Sequence, residues 1–475
     1  MKTLLYVLLV YGLCIPFACA QIGMGGSPHP SAVLDLQATN KAFYLPRLTT
    51  AQRKAIVIPQ PGAFVYDLDQ GAFYLFDGQN WLPLAFQNPI SPMPVSRQAS
   101  DGAAMDYFGY SVAISGNYAL VGVYNADIGL NSNQGAVYVF LRTGGTWTQE
   151  AKLTASNGAA NDFFGISVAI SGNYALIGAY GDDIGANADQ GSAYIFAITG
   201  TDWIQQAKLT ANDGAANDYF GISVAISGDY ALVGAFNDDI GVNTDQGSAY
   251  PFARTGSLWT QQTRLTSSDG AGGDLFGNSV AMAGNYAVVG ASGDDIGANA
   301  DQGSSYLFFL AAGTWIQQAK LLAGDGTAND YFGASVAISG DYALVGANGD
   351  DIGGYADQGS AYIFSRTGSS WPQQTKLTTS SGAGNDRLGG GVAISGDYAL
   401  VGADGDDIGG NNNQGSAHLY HRTGTNWAEV QLITDNSLSF SLNGTSVGLS
   451  NGIFIIGAPG FESSKGKVSF GSTDH

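Results

Sequence analysis

The sequence predicts an all-β protein: a seven-bladed β-propeller of four-stranded antiparallel blades, preceded by a small β-rich N-terminal module. The first observation behind this prediction is a 56-residue repeat that extends from about residue 98 towards the C-terminus. The second is composition, since the 475 residues include 69 glycines and 11% aromatic residues, which suits many turns around a packed core. The third is that no segment shows a convincing helical period.

Two aromatic positions define the repeat. Pairs of phenylalanine and glycine recur every 56 residues, and tryptophan keeps the same spacing later in each copy. The Phe positions are Phe108, Phe164, Phe220, Phe276 and Phe332, followed by Leu388 in the sixth copy and Asn443 in a shorter seventh. The Trp positions are Trp147, Trp203, Trp259, Trp315, Trp371 and Trp427. Each Trp begins an outer strand, so we expect it to pack between blades rather than to form a lectin surface.

Each copy of the repeat predicts four strands. In the second copy these are Ile166–Ser171, Tyr174–Ala179, Ser192–Ala197 and Trp203–Leu209, which are short, rich in Val, Ile, Tyr and Ala, and separated by Gly, Asn and Asp. The first strand alternates small residues with Val and Ile, as a crowded strand near a central axis requires. An open solenoid is the alternative, but it would need capping repeats, and the sequence shows none.

Closure of the ring requires a strand from the N-terminal side, because the seventh copy ends without its fourth strand. Ser91–Arg97 has the same offset from Phe108 as Trp147–Leu153 has from Phe164. We therefore expect residues 91–97 to close the ring, with Asn80–Phe86 as the rival segment. The resulting domain prediction is a signal peptide at 1–20, an N-terminal stalk or assembly module at 21–90, and the propeller at 91–475.

The N-terminus predicts export. Lys2 precedes the apolar run Leu4–Val10, and Ala18-Cys19-Ala20 offers a small-residue cleavage site. Lipidation of Cys19 is the alternative, although Pro16-Phe17 makes a poor lipidation signal. No later run reaches the ~20 apolar residues of a membrane-spanning helix. We expect a secreted or cell-surface-attached protein whose mature chain lacks cysteine, since Cys14 and Cys19 both lie in the leader.

The charge distribution excludes one class of partner. The chain has 39 acidic and 18 basic residues, and residues 98–475 alone carry 35 acidic and 12 basic residues, a net charge of −23. Such a field repels phosphate backbones, so we expect no nucleic-acid binding. Of those 35 acids, 25 lie in the connections between second and third strands or between successive repeats, which share one face of a propeller. This face should be strongly acidic.

Recurrent aspartates follow the second strand of each copy. They most simply form turns, because Asp bonds its own backbone and tolerates tight bends. A weak Ca²⁺ loop in each blade is the alternative, and no other cofactor is predicted. The candidate Ca²⁺ ligands are Asp182, Asp183, Asp189, Asp238, Asp239, Asp245, Asp294, Asp295, Asp301, Asp350, Asp351 and Asp357; Asp406-Asp407 repeats the pair alone. So many equivalent pairs do not resemble the single asymmetric pair of a glycosidase.

One position differs from copy to copy in an informative way. After the Gly-Ala (or Gly-Val) that ends the second strand, three neighbouring copies carry aromatic residues and the next three carry polar ones. These candidate ligand-binding residues are Tyr124, Tyr180, Phe236, Ser292, Asn348 and Asp404, followed by Pro459. All should lie near the centre of the acidic face, where aromatic rings could stack a sugar or grip a side chain. Drift at a tolerant loop position is the alternative.

Catalytic motifs are absent from the sequence. The four histidines are His29, His418, His421 and His475, and we expect the middle two to be surface residues on opposite faces of a strand. No nucleophile elbow, His-rich zinc motif or phosphate loop appears. We therefore predict that the protein is not an enzyme.

Residues 98–470 resemble the FG-GAP repeat of integrin α-chain propellers. The Phe-Gly pairs and the Gly-Ala ends of the second strands carry this resemblance, and Gly457-Ala458-Pro459 has the literal form. The resemblance implies a propeller of an adhesion or surface protein. Family members that bind calcium use an acidic loop between the first two strands, whereas the turn here, as at Ser227–Tyr230, is too short to supply six to eight oxygens.

Residues 21–86 resemble an N-terminal module seen on bacterial surface proteins. The resembling motifs are Gly23-Met24-Gly25, Ala32–Asp35, Leu45–Thr49 and Gly71–Leu84. The resemblance implies a stalk or assembly segment through which the chain could oligomerise.

Taken together, these patterns predict an extracellular binding or adhesion module that presents its acidic loop face to a protein or glycan ligand. The alternative is a carbohydrate-active or other hydrolytic enzyme that uses aspartates on the same face. The regular acid pattern and the scarcity of histidine favour the first.

Overall fold

The computed structural model describes residues 22–24, 34–36, 46–57, 59–60, 63–69, 72–76, 78–83, 94–434 and 439–473. The chain divides into two compact units, Met1–Pro89 and Ile90–His475. The predicted signal peptide and both cysteines lie outside the described residues. None of the described helices is long and apolar enough to cross a membrane.

The second unit is a β-propeller, as the repeat predicted. Its described residues form seven four-stranded sheets, which we call blades 1 to 7. Blade 1 contains Val112–Ser115, Tyr118–Val123, Ala136–Thr143 and Thr146–Leu153; blade 2, Val168–Ser171, Tyr174–Ala179, Ser192–Thr199 and Asp202–Leu209; blade 3, Ser223–Ser227, Tyr230–Ala235, Ser248–Thr255 and Leu258–Gln261; blade 4, Phe276–Ala283, Tyr286–Ala291, Ser304–Ala311 and Thr314–Leu321. Blade 5 contains Ser335–Ser339, Tyr342–Ala347, Ser360–Ser365 and Gln373–Leu377; blade 6, Leu388–Ser395, Tyr398–Ala403, Ser416–Thr423 and Asn426–Ile433; blade 7, Ser446–Ser450, Ile453–Ala458, Lys467–Ser472 and Val95–Arg97. A short helical turn, Phe461–Ser464, precedes the third strand of blade 7.

Blade 7 combines strands from both ends of this unit. Val95–Arg97 pairs antiparallel with Lys467–Ser472, in a register that sets Val95 opposite Phe470 and Arg97 opposite Val468. This is the segment that the repeat offset favoured. Its rival contributes the strand Trp81–Pro83 to a sheet of the N-terminal unit instead.

The hydrophobic core lies between neighbouring blades. One cluster joins Leu176 and Ile195 of blade 2 to Val224 and Phe220 of blade 3, and similar clusters recur around the ring. The Trp side chains also pack between blades: the ring of Trp203 meets Tyr118 of the previous blade edge-on, with centroids 5.6 Å apart. A four-stranded blade therefore gains its buried apolar surface from its neighbours, which is why the repeats close into a ring.

Serine hydroxyls join the inner strands around the axis. Ser167 Oγ donates to the carbonyl oxygen of Gly221 in the next blade at 2.8 Å. The blades approach so closely that a Cβ added at Gly178 would lie 1.8 Å from this carbonyl, so only glycine fits there. The same serine position is occupied by Ser111, Ser167, Ser223, Ser279, Ser335 and Ser446, and blade 6 has Gly391 instead. The first strands of all seven blades enclose an open central cavity of about 230 Å³.

The N-terminal unit is β-rich where the structure describes it. Arg47–Leu48, Phe64–Asp67, Ala72–Phe76 and Trp81–Pro83 form one sheet, and Ile22–Met24 pairs parallel with Leu34–Leu36. The helix Thr50–Lys54 begins at Thr49, whose hydroxyl accepts the N–H of Gln52 in a capping box. Buried Arg53 forms a 2.7 Å ion pair with Asp67, which fixes this helix on the sheet.

Candidate functional site on the loop rim

The connections between second and third strands and those between successive blades lie on one rim of the propeller, which we call the loop rim. The two kinds of connection hydrogen-bond to each other: Asn161 N donates to Ser132 O at 2.8 Å, and Phe163 N donates to Asn133 O at 3.1 Å. The bonds recur in later blades, for example from Asn217 N to Ala188 O at 2.9 Å. Side chains from both connections can therefore contribute to one surface.

The first aspartate of each pair points into its blade. Asp182 is 4% exposed, and its carboxylate accepts hydrogen bonds from Ser192 Oγ at 2.5 Å and from the Tyr194 hydroxyl at 2.7 Å. Lys208 completes an ion pair at 2.5 Å. The equivalent buried carboxylates are Asp238, Asp294, Asp350 and Asp406. These groups hold the third and fourth strands together and face away from solvent.

The second aspartate of each pair closes its loop. Asp183 Oδ1 accepts the backbone N–H of Asp189 at 2.9 Å, and Asp189 adopts a left-handed φ of 51°. The same bond joins Asp239 to Asp245, Asp295 to Asp301, and Asp351 to Asp357. The described residues contain no group of three or more His, Cys, Asp or Glu side chains placed to hold a metal ion.

A further set of buried aspartates lies just before the Phe-Gly pair. Asp218 is 4% exposed, and its Oδ2 accepts the N–H of Ala215 at 2.5 Å. Burial, together with the nearby charge of Asp238, raises the pKa of Asp218 to about 6. The pKa values of Asp162, Asp274 and Asp386 are raised to about 6 for the same reason. These nearly buried residues recur in blade after blade, and each accepts a backbone N–H within its own turn.

The three aromatic candidates belong to a longer chain of stacked rings. Tyr124 stacks on Tyr107 with centroids 5.6 Å apart, and Phe163 stacks on Tyr180 at 5.1 Å. Tyr180 contacts Tyr219 edge-on at 5.4 Å, and Tyr219 stacks on Phe236 at 5.7 Å. Tyr124 and Phe163, with centroids 6.1 Å apart, connect blades 1 and 2. We call Tyr107, Tyr124, Phe163, Tyr180, Tyr219 and Phe236 the aromatic arc.

The polar candidates lie on the following blades. Asp404 Oδ1 is 3.2 Å from Arg387 Nε, and burial raises the pKa of the Asp404 carboxyl although Arg387 opposes the shift. Asn278 Oδ1 accepts the backbone N–H of Ser292 at 3.3 Å. The buried Oδ1 of Asn348 has no hydrogen-bond partner among the described residues. We call Asn278, Ser292, Asn348, Arg387 and Asp404 the polar arc.

Tyr110 connects the two arcs at the mouth of the central cavity. Its ring meets Tyr124 edge-on at 4.6 Å. Burial raises the pKa of Tyr110, and the negative charge of Asp404 adds to this shift. Asp404 Oδ1 lies 3.9 Å from the position that a Cβ on Gly390 would occupy, and the next residue, Gly391, lines the cavity. Asn278 and Thr445 also line the cavity. The mouth therefore offers aromatic faces on one side and hydrogen-bonding groups on the other.

About half of the residues of this surface were not predicted from the sequence. Tyr107, Phe163 and Tyr219 directly precede the Phe of their repeats, and their left-handed φ values of 55–59° direct the chain towards the mouth. Arg387 occupies the same position in blade 6 and also has a positive φ of 57°. These residues could have been found from the sequence, because the residue before the Phe of each repeat differs between copies, as does the residue after Gly-Ala.

The expectation that His418 is a surface residue is wrong. His418 is fully buried and occupies the place of Tyr194 in the repeat. Its Nδ1 donates to Glu429 Oε1 at 2.8 Å, and its Nε2 lies 3.1 Å from Ser416 Oγ. This order resembles a hydrolytic triad, but Ser416 is also fully buried and donates to Asp406 at 2.6 Å. The group is a variant of the Asp–Ser–Tyr contact of other blades, and its hydroxyl is not accessible to a substrate.

Comparison with known families matches both parts of the chain. The FG-GAP repeat matches residues 98–140, 147–196, 203–252, 259–308, 315–364 and 371–420, which together make up more than half of the chain. A phage tail-like trimerisation region matches residues 21–97. No curated protein is significantly similar to the chain.

Proposed function

Because this chain belongs to the FG-GAP repeat family, whose propellers are associated with binding and adhesion, we propose that it is an extracellular binding protein. Its ligand, a protein or a glycan, binds the loop rim at the mouth of the central cavity. The observation behind this proposal is that buried positions such as Phe220 repeat around the ring, whereas the residues of the aromatic and polar arcs differ between blades. A unique site needs such differences, since identical residues in every blade serve the fold equally.

The charge of the loop rim supports a hydroxyl-rich or basic ligand. The second aspartate of each pair, and Asp127 at the same position of blade 1, is exposed and forms no ion pair among the described residues: Asp127, Asp183, Asp239, Asp295, Asp351 and Asp407. On the opposite rim, exposed aspartates are paired with arginine, as Asp397 is with Arg422. An unneutralised ring of carboxylates raises the local concentration of cations and repels anions.

Structural roles in the blades, rather than catalysis, account for the recurrent aspartates of this rim. Asp182 and its equivalents form ion pairs or hydrogen bonds inside their blades, Asp183 and its equivalents close loops, and Asp218 and its equivalents form turns. Each of these tasks recurs in several blades, so none of them singles out an acid–base pair. A hydrolase that uses Asp404 is the outcome that would contradict this proposal.

The N-terminal unit would gather three propellers into one particle. The match to a phage tail-like trimerisation region suggests a trimer assembled through residues 21–97. Three rims on one particle would bind a repetitive surface far more tightly than one rim, because the second and third contacts form at high effective concentration.

The test uses the full-length exported protein. Light scattering should give three times the chain mass, and arrays of glycans and surface proteins should yield a ligand whose binding weakens when Asp404 and Tyr124 are substituted. A panel of glycosidase and esterase substrates should show no turnover. Turnover abolished by a single Asp→Asn substitution would show that the protein is an enzyme and would overturn the proposal.

A further inference from the structure

We infer that the mouth of the central cavity binds one neutral sugar residue, its ring resting against Tyr110 and Tyr124 and its hydroxyl groups held by Asp404 and Arg387. This inference rests on the proposed binding function and specifies its ligand.

Two tyrosine rings form the aromatic side of the mouth. Tyr110 is 37% exposed, so its ring remains accessible where it borders the cavity, while Tyr124 holds it edge-on at 4.6 Å. Tyr124 is itself stacked on Tyr107 at 5.6 Å, which restricts its ring to one orientation. A sugar presents an apolar face of C–H groups, and a fixed aromatic ring covers such a face at little entropic cost.

Asp404 and Arg387 occupy the opposite side, with Asp404 Oδ1 3.2 Å from Arg387 Nε. Asp404 accepts hydrogen bonds only, and Arg387 donates only. A sugar hydroxyl group both donates and accepts, so two neighbouring hydroxyl groups can bridge this pair.

Size and charge narrow the class of sugar. The cavity of about 230 Å³ is smaller than the ~300–1,000 Å³ of pockets for drug-sized ligands, so it suits one ring rather than an extended chain. The exposed carboxylates around the rim and Asp404 at the mouth repel sulfated or carboxylated sugars. A neutral terminal residue, such as a hexose or an N-acetylhexosamine, fits both limits.

The experiment measures binding of the full-length protein to a glycan array, followed by calorimetric titration with the free neutral monosaccharide that the array indicates. Tyr110→Ala and Asp404→Asn should each weaken binding roughly tenfold or more, because each removes a contact to one side of the ring. Tyr355→Ala is the matched control: Tyr355 is an exposed tyrosine at a loop tip of the same rim, 54% exposed, and its loss should change affinity by less than about twofold.

Each outcome separates this inference from the function on which it rests. Glycan binding that survives both mouth substitutions, or binding confined to anionic glycans, overturns the sugar site while the binding function stands. A protein ligand with no glycan binding does the same. If Tyr110→Ala lowers the melting temperature, the nearly isosteric Asp404→Asn still decides the question, since it leaves the ring contacts in place.

Discussion

Ser446 Oγ donates a 2.8 Å hydrogen bond to the carbonyl oxygen of Gly109, and this bond joins the inner strand of blade 7 to blade 1. Ser223 makes the same bond to Gly277 at 2.7 Å between blades 3 and 4, where the chain is continuous. Only the first of these contacts lies at the point where the ring closes.

Ser446→Ala should lower the free energy of unfolding by about 1 kcal/mol, the usual contribution of one hydrogen bond, because the Gly109 carbonyl loses a donor. Ser223→Ala is the matched substitution within the ring. Denaturant unfolding of both variants compares them directly. A much larger loss of unfolding free energy for Ser446→Ala than for Ser223→Ala would show that separation of blades 7 and 1 limits the stability of the ring. If neither substitution lowers the unfolding free energy, these serine hydrogen bonds do not stabilise the propeller.

The buried aspartates predict that stability falls as pH rises from about 4 to about 6. Asp218 has a pKa of about 6 in the folded protein and ~3.9 when unfolded, so the folded state binds the proton more tightly. Its stabilising contribution is complete below the unfolded pKa and is lost as pH passes through the folded pKa.

Asp218→Asn keeps an acceptor for the N–H of Ala215 and removes the buried charge, so it should stabilise the protein by about 1–3 kcal/mol at pH 7. The gain should nearly vanish at pH 4.5. Melting temperatures of both proteins between pH 4 and 8 give the comparison. An equal gain at both pH values would contradict ionisation of Asp218 as the cause.

Millimolar Ca²⁺ or a chelator should leave the melting temperature unchanged. The candidate Ca²⁺ ligands already accept protein donors, as Asp183 accepts the N–H of Asp189. Asp183→Ala should lower stability by about 0.5–1.5 kcal/mol through this lost bond, with or without Ca²⁺. A Ca²⁺-induced rise in melting temperature that Asp183→Ala abolishes would show that the loop containing Asp183 binds Ca²⁺.

Two substitutions should give blade 6 the Asp–Tyr–Lys contact that blade 2 has. Blade 6 has His418 where blades 1 to 5 have Tyr and Leu432 where blade 2 has Lys208. His418→Tyr alone should destabilise by about 1–3 kcal/mol, since it removes the partner of the Glu429 carboxylate. Adding Leu432→Lys should recover much of this loss by supplying Asp406 with the ion pair that Lys208 gives Asp182. If the double variant is no more stable than His418→Tyr alone, the cluster around His418 in blade 6 is not equivalent to the cluster around Tyr194 in blade 2.

The sequence was most informative where a residue repeats. The 56-residue spacing placed Trp203 at an outer strand, and its contact with Tyr118 follows from packing one blade on the next. The repeat offset also located the closing strand near Val95–Arg97. Periodicity predicts these features because every blade solves the same packing problem.

The sequence was least informative where conformation or substitution is local. Tyr107 reaches Tyr124 because its φ is 59°, and no composition rule predicts a left-handed tyrosine. His418 was expected at the surface because histidine is usually polar and exposed, yet it inherits a buried position from the repeat. Alignment of the repeats with one another, rather than the residue type, carried that information.

Ser96 pairs with Ser469, 373 positions away along the chain, so folding of blade 7 requires strands from both ends of the propeller. Val95–Arg97 is the first propeller strand to be synthesised, and its partner Lys467–Ser472 is made only after the strands between them, so the nascent protein passes through a stage in which blade 7 is incomplete. Proteolytic removal of either Val95–Arg97 or Lys467–Ser472 would leave blade 7 incomplete again. Cleavage of a surface loop in another blade would leave the pairing of these two strands in place.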